Sequence, residues 1–501
     1  MKYVIINYKI NKNLENILTN KYNLCIFINN SIIILEINLK IIFGGVQMKR
    51  ENFGSKLGIV AAAAGSAVGL GNIWKFPYIT GQNGGAAFIL VYLACILLIG
   101  IPVMLSEFAL GRKNNVNAVE SFKKIAPKSK WHFTGYLAVA TSFIILSFYA
   151  IIAGWVLSYV WRSALGKFKE IPANGFGDFF NELVANPLEP TICTLIVLII
   201  TALIVLGGIK SGVEKFSKIV MPILVGLILL LIVRSVTLDG AGAGIEFLLK
   251  PDFSKLSVGG VLEALGHSFY TLSLGMGIII TYGSYINKKE NLVTLSYQVA
   301  IADTVIALMA GLIIFPAVFA YGLEPGAGPS LLFITIPAVF KAMPLGSIFE
   351  ILFFVLIAIA ALTSTVSLME TSVTFLSEQF KIDRKKTTII VTLGLFILAI
   401  PSILSFGPLS DLMLIGDRSI FDSLDFLTSN ILLPLGGILV CLFVAWVWGA
   451  SKASEEITSY GEHKFVGKRL YMFSVKYLAP FAILLIFLYG LGVLDYILKL
   501  F

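Results

Sequence analysis

The chain has 501 residues, 57% of them hydrophobic and 13% charged, with a mean hydropathy of +0.90 and a formal net charge of +9. A soluble domain carries roughly 25% charged residues, so this composition excludes a soluble enzyme, a nucleic-acid binder and a disordered chain, and points to an all-α integral membrane protein. The positive charge then reads as topology, because basic residues collect in cytoplasmic loops.

Residues 1–47 differ in kind from the remainder of the chain. They hold 12 Ile and 9 Asn, with no Ala and no Pro. The stretch ends Gly44-Gly45-Val46-Gln47 ahead of Met48, as a translated ribosome-binding site would. Residues 1–47 are therefore expected to be a non-native extension, with Met48 as the start and 48–501 as a single domain. A signal peptide fits less well, because Asn and Lys interrupt every apolar run there and no small-residue cleavage site comes after the longest one.

From Met48 the apolar runs predict eleven spans, near 53–77, 84–110, 133–163, 189–207, 213–235, 258–285, 292–321, 344–379, 387–405, 425–448 and 472–499. Each is long enough for a hydrocarbon core of about 30 Å. Alternate loops are basic: Arg112, Lys113, Lys123, Lys124, Lys128 and Lys130; Lys210, Lys215 and Lys218; Lys288 and Lys289; Lys381, Arg384, Lys385 and Lys386; Lys452, Lys464, Lys468 and Arg469. These loops and the segment at Met48–Lys56 are expected to be cytoplasmic, and an odd number of spans puts Phe501 outside. The loop at 163–189 and the stretch at 323–343 are the long outer segments. Cys25, Cys95, Cys193 and Cys441 lie far apart and read as free thiols. His132, His267 and His463 have no metal-ligand spacing.

Two spans are interrupted. The first reads Gly65-Ser66-Ala67-Val68-Gly69-Leu70-Gly71-Asn72, and the sixth reads Ser268-Phe269-Tyr270-Thr271-Leu272-Ser273-Leu274-Gly275-Met276-Gly277. Either alone is as easily explained by close packing on small residues. Together they are matching members of two five-helix halves, 48–240 and 241–448, with 449–501 supplying the last loop and helix. Paired interruptions predict a 5+5 inverted-repeat transporter with its site at the breaks. Backbone freed there must be satisfied internally or line a cavity. Half-helix N-termini favour a carboxylate and freed carbonyls favour a small cation. Asp303 lies about 16 Å into the seventh span at 1.5 Å per residue, where an unpaired acid is costly, so it reads as an ion or proton site.

The run Gly65–Asn72 continues as Ile73-Trp74-Lys75-Phe76-Pro77-Tyr78, and Asn83-Gly84-Gly85-Ala86-Ala87-Phe88 comes soon after. With Gly100-Ile101-Pro102, Glu107-Phe108-Ala109-Leu110-Gly111-Arg112, Tyr270–Gly277 and Leu362-Thr363-Ser364-Thr365, it resembles the neurotransmitter:sodium symporter family over essentially all of 48–501. The likeness is strongest to bacterial eleven-helix members of the LeuT and MhsT type. It implies a LeuT-like fold, with the first and sixth helices unwound in a bacterial inner membrane. The implied function is sodium-coupled import of neutral hydrophobic amino acids, bulky or aromatic ones included, by alternating access.

The resemblance also implies site residues. One sodium site would use Ala67, Asn72, Thr271, Asp303 and the substrate carboxylate. A second would use Gly65, Val68, Ala360, Thr363 and Ser364, although Thr363 and Ser364 could equally bond their own helix backbone. No organic cofactor is implied. The carboxylate would meet Leu70, Gly71 and Tyr149. The amino group would meet carbonyls of Ala67, Tyr270, Thr271 and Ser273, and the Ser364 hydroxyl. The side chain would face Ser66, Ile145, Tyr270, Met276, Ser364 and Leu368. Monoamine-carrying relatives have Asp where this chain has Gly69. Many relatives have Asn at the Asp303 position and a chloride-binding Ser where Ala307 stands, so chloride independence is expected. Lys75 and Asp425 resemble an outer gate pair, and Arg50 and Glu378 an inner one, with Phe53 and Tyr285 nearby. The alternatives are a proton-coupled transporter of the same fold, or a membrane sensor or channel. A membrane-embedded enzyme is disfavoured, because no nucleophile motif or His, Asp, Glu or Cys cluster is present.

Overall fold

The computed structural model describes residues 51–323 and 331–494. The expectations for residues 1–47, for Arg50 and for the end at Phe501 lie outside that range. Nine helices are long and apolar enough to cross a membrane among the described residues. They are α2 (Ala86–Asn114), α3 (His132–Ala164), α4 (Leu188–Leu206), α5 (Ile209–Val236), α7 (Leu292–Ala320), α8 (Gly346–Phe380), α9 (Arg384–Leu404), α10 (Ile420–Ile457) and α11 (Lys468–Gly490). The first span is a broken pair, α1a (Lys56–Ala67) and α1b (Gly71–Gln82), bent by 50°. The sixth is also two pieces, α6a (Val258–Thr271) and α6b (Ile278–Gly283). Both interruptions therefore fall where the Gly-rich runs place them. The tenth helix runs further than expected, to Ile457.

Proline sets four of the local irregularities. Widened π turns at Gly71–Lys75, Ile96–Gly100, Leu427–Leu432 and Ser474–Leu478 each end two residues before Pro77, Pro102, Pro434 and Pro480. A proline has no N–H and its ring crowds the carbonyl four residues back, which opens the preceding turn. The outer segments expected as loops carry short helices instead, at Phe176–Ala185 and Ile336–Ala342. Both are too short to span, and they pack their apolar faces on the ends of the bundle.

The core lies around α1, α3, α6 and α8. Helices α3 and α8 pack along each other, and α1a lies against α5, α7 and α8. The run Ala61-Ala62-Ala63-Ala64 is buried, and its small side chains allow that close approach. Faces turned away from this core expose residues such as Ile199, Leu203, Leu229 and Ile397, as expected of surfaces solvated by lipid.

Candidate functional site

Each break is built from backbone that a neighbouring helix satisfies. Helix α1a stops at Val68, whose backbone is extended at ψ 101°. Gly69 stands next because a side chain would not fit: a Cβ there would lie 2.4 Å from Ser364 Oγ and 3.1 Å from Tyr149 Oη. The Gly69 N–H donates to Asn72 Oδ1 at 3.0 Å, and the Leu70 N–H donates to the Tyr149 hydroxyl at 3.2 Å. At the sixth break Ser273, Gly275 and Gly277 have φ of 56°, 78° and 77°, a left-handed region that glycine enters without a Cβ clash. The freed Gly275 N–H donates to Glu107 Oε1 at 2.8 Å, and the Ser142 hydroxyl donates to the Met276 carbonyl. Backbone at membrane depth requires such internal partners. In the sequence Glu107 is legible only as part of a motif; the fold makes it the anchor of the second break.

Between the breaks lies a small cavity lined by Ser66, Ala67, Gly69, Gly71, Ile145, Tyr149, Tyr270, Thr271, Ser273, Met276, Ile278, Ser364 and Leu368. All the expected substrate residues but Leu70 line it. Leu70 contributes only its amide, which Tyr149 holds. Ile278 lines it as well, beyond the expected set. No lining side chain carries a charge. Three serines cross-link the wall: Ser66 and Ser273 hydroxyls are 3.3 Å apart, and Ser273 and Ser364 hydroxyls donate to the Ser66 carbonyl at 3.2 and 3.4 Å.

Two oxygen clusters flank the cavity. In one, the Thr363 hydroxyl lies 3.1 Å from the Val68 carbonyl and 2.8 Å from the Ala360 carbonyl. Thr363 thus bonds its own helix and bridges to α1 as well. Ser364 turns instead to Ser66. In the other, Asp303 is fully buried. Its Oδ1 accepts from Asn72 Nδ2 at 2.7 Å and from Thr271 Oγ1 at 2.8 Å, and its Oδ2 accepts from Tyr92 at 3.2 Å. No basic side chain is within ion-pair distance of it among the described residues. Tyr92 was not foreseen. The Asn72 amide turns its donor face to Asp303, so its oxygen, expected toward a cation, meets the Gly69 N–H and keeps one lone pair free. The donors are hard oxygens, suited to an alkali cation rather than a soft metal. No group of three or more His, Cys, Asp or Glu able to hold a metal occurs among the described residues.

The closures above and below differ from expectation. Lys75 and Asp425 are not an ion pair. The Lys75 ammonium lies 4.7 Å from the centre of the Tyr270 ring, and Asp425 accepts from Ser429 Oγ at 2.9 Å. A lysine also lacks the guanidinium fork with which an arginine could meet a ring and a carboxylate together. On the basic side, Glu378 accepts from the Asn117 backbone N–H at 2.8 Å and its Nδ2 at 3.1 Å. Phe53 donates its N–H to the Tyr285 carbonyl at 3.2 Å and packs edge-on against Tyr282 and Tyr285. The Tyr285 hydroxyl donates to Glu370 at 2.9 Å. Glu370 is buried and pairs with Arg384, which also donates to the Val205 carbonyl at 3.0 Å. Sequence reasoning missed both Glu370 and Arg384 here. A second buried pair, Arg112 with Glu456 at 3.0 Å, is joined by Lys288.

Residues 50–171 and 184–497 match the sequence profile of the sodium:neurotransmitter symporter family. An uncharacterized sodium-dependent transporter of Bacillus subtilis, YhdH, is 39% identical over 450 residues, covering 90% of this chain and 100% of that protein. An uncharacterized sodium-dependent transporter of Haemophilus influenzae is 36% identical over 458 residues, covering 88% of this chain and 98% of that protein. The crystal structure of MhsT in complex with L-phenylalanine superposes with a TM-score of 0.81 at 46% identity, covering 88% of this chain and 100% of that one.

Proposed function

This chain belongs to the sodium:neurotransmitter symporter family, a sodium-dependent membrane transporter and not an enzyme, and on that premise we propose that it imports neutral hydrophobic amino acids by alternating access, without chloride. The observation that carries the cargo is the cavity wall. It offers backbone and hydroxyl groups at both breaks and no charged side chain, so a cargo must bring its own ammonium and carboxylate and an uncharged side chain. That the similar MhsT was crystallised with L-phenylalanine supports an aromatic or bulky aliphatic cargo.

In this reading the carboxylate faces the Gly71 and Leu70 amides and Tyr149, whose hydroxyl accepts from Leu70 and donates to the cargo. The ammonium faces the carbonyls of Ala67, Tyr270, Thr271 and Ser273 with the Ser364 hydroxyl. Ile145, Met276 and Leu368 surround the side chain, and the unbranched Met276 adapts to its shape. Sodium entering with the cargo is held at two places: by Gly65, Val68, Ala360, Thr363 and Ser364, and by Ala67, Asn72, Thr271 and Asp303. Asp303 supplies the negative charge there, so chloride has no role. Each sodium ion moving inward gains about 2.3 kcal/mol per 100 mV of membrane potential. Lys75, Tyr149 and Tyr270, with Asp425 beyond them, close the outer side. Phe53, Tyr285 and Glu378 close the inner side with Glu370 and Arg384.

Competition against labelled leucine uptake by all twenty amino acids tests the cargo class. Inhibition by phenylalanine, tryptophan, isoleucine and methionine is expected. Inhibition by charged amino acids alone would reject it.

A further inference from the structure

A second cavity lies far from the central one, where α3 ends and α8 begins. It measures roughly 410 Å³ and is lined by Phe168, Lys169, Lys341, Leu345, Ile348 and Glu350 among others. It sits at the end of the bundle opposite the basic loops. Glu350, one turn into α8, is 5% exposed. It accepts from the Ser163 hydroxyl at 3.1 Å, and no Lys, Arg or His nitrogen lies within ion-pair distance of it among the described residues. A carboxylate so nearly buried calls for a cation or several donors. Two ammonium groups stand on the rim. Lys341 donates to the Phe168 carbonyl at 3.4 Å and to the Lys169 carbonyl, which ties residues 167–170 to the short helix at Ile336–Ala342. Lys169 is exposed. Beside them Leu345 and Ile348 are 71% and 55% exposed, at the start of a membrane span.

We propose that this cavity is a lipid site that takes a phosphoethanolamine headgroup. Its primary ammonium sits on Glu350, its phosphate meets Lys169 and Lys341, and its acyl chains run over Leu345 and Ile348. The charge pattern, one anion at the floor and two cations at the rim, is complementary to a zwitterion whose ammonium is buried first. The apolar collar selects a lipid over a free amino acid, which has no chains to lay against it. A primary ammonium donates three hydrogen bonds and a quaternary choline donates none, so the site distinguishes the two commonest zwitterionic headgroups. The proposal is independent of the cargo in the central cavity.

Native mass spectrometry of the purified full chain, offered phosphatidylethanolamine, phosphatidylcholine or phosphatidylglycerol with matched acyl chains, tests it. One phosphatidylethanolamine is expected to be retained, about tenfold more than phosphatidylcholine, the effect of losing one charge-assisted hydrogen bond. Glu350→Gln is expected to abolish that preference while sodium-dependent amino-acid binding persists, and Lys169→Ala is expected to weaken retention of the same lipid. Equal retention of the ethanolamine and choline lipids by the unaltered protein would overturn the proposal with no variant needed. So would an unchanged preference in Glu350→Gln, or a preference for phosphatidylglycerol. A second equivalent of bound free amino acid that disappears in Glu350→Gln would assign the cavity to a soluble zwitterion and overturn it too.

Discussion

The two oxygen clusters beside the central cavity share the broken first helix but differ in charge. Around Thr363 every donor is neutral, two of them main-chain carbonyls of Val68 and Ala360. Around Asp303 a fully buried carboxylate gathers Asn72, Thr271 and Tyr92 and has no basic partner among the described residues. A neutral cage selects a cation by geometry, so its strength depends on where α1 stops and how closely α8 approaches. A charged cage attracts a cation by charge, and it loses most when the charge is removed and the shape kept.

Asp303→Asn separates the two most sharply. It removes the charge and leaves three donors around a group that can no longer satisfy them all. Hydrogen bonds to charged groups are worth about 1.5–3 kcal/mol each. A rise of about a hundredfold in the sodium concentration for half-maximal uptake is expected, corresponding to about 2.7 kcal/mol. Thr363→Val keeps the shape and removes one hydroxyl from the neutral cage. Here a rise of about tenfold is expected from one lost neutral ligand, read in the same uptake assay. Gly69→Ala probes the geometry both clusters share, because its Cβ would press on Ser364 Oγ at 2.4 Å. It is expected to lower amino-acid affinity by several-fold, about 1–2 kcal/mol of displaced packing, in equilibrium binding with sodium saturating. Lys75→Ala removes a cation over the Tyr270 ring, a contact worth about 0.5–1 kcal/mol, so release of bound amino acid about two- to fivefold faster is expected in a dilution chase. Replacing chloride by gluconate is the smallest perturbation. With Asp303 supplying the charge, uptake is expected to stay unchanged, and a chloride requirement would place an anion beside the charged cluster.

The membrane class, the spans and both breaks are legible in the sequence because they are local. Apolar run length marks a span, and clustered glycine within one marks a break. Partnerships across the bundle are not local. Glu107 meets Gly275 across 168 positions, and nothing near Glu107 indicates which break it serves. The depth argument that singles out Asp303 does not reach Glu107 or Glu350, which lie near the ends of their spans, and the importance of these acids comes from partners the sequence does not show. The direct Lys75–Asp425 contact is absent here for a different reason. Lys75 and Asp425 were placed by analogy with an arginine pair, and the shorter reach of an ammonium left Lys75 on the Tyr270 ring instead. The helices at Phe176–Ala185 and Ile336–Ala342 escaped because a length criterion set by the bilayer ignores short amphipathic pieces.

Accumulation of labelled L-phenylalanine by proteoliposomes containing the full chain, at fixed pH with an inward sodium gradient or with potassium in its place, bears most directly on coupling between the broken helices and sodium. Uptake above the equilibrium level with sodium, and its collapse both with potassium and in Asp303→Asn, is the expected result. Concentrative uptake that persists in potassium and tracks an imposed proton gradient would contradict it.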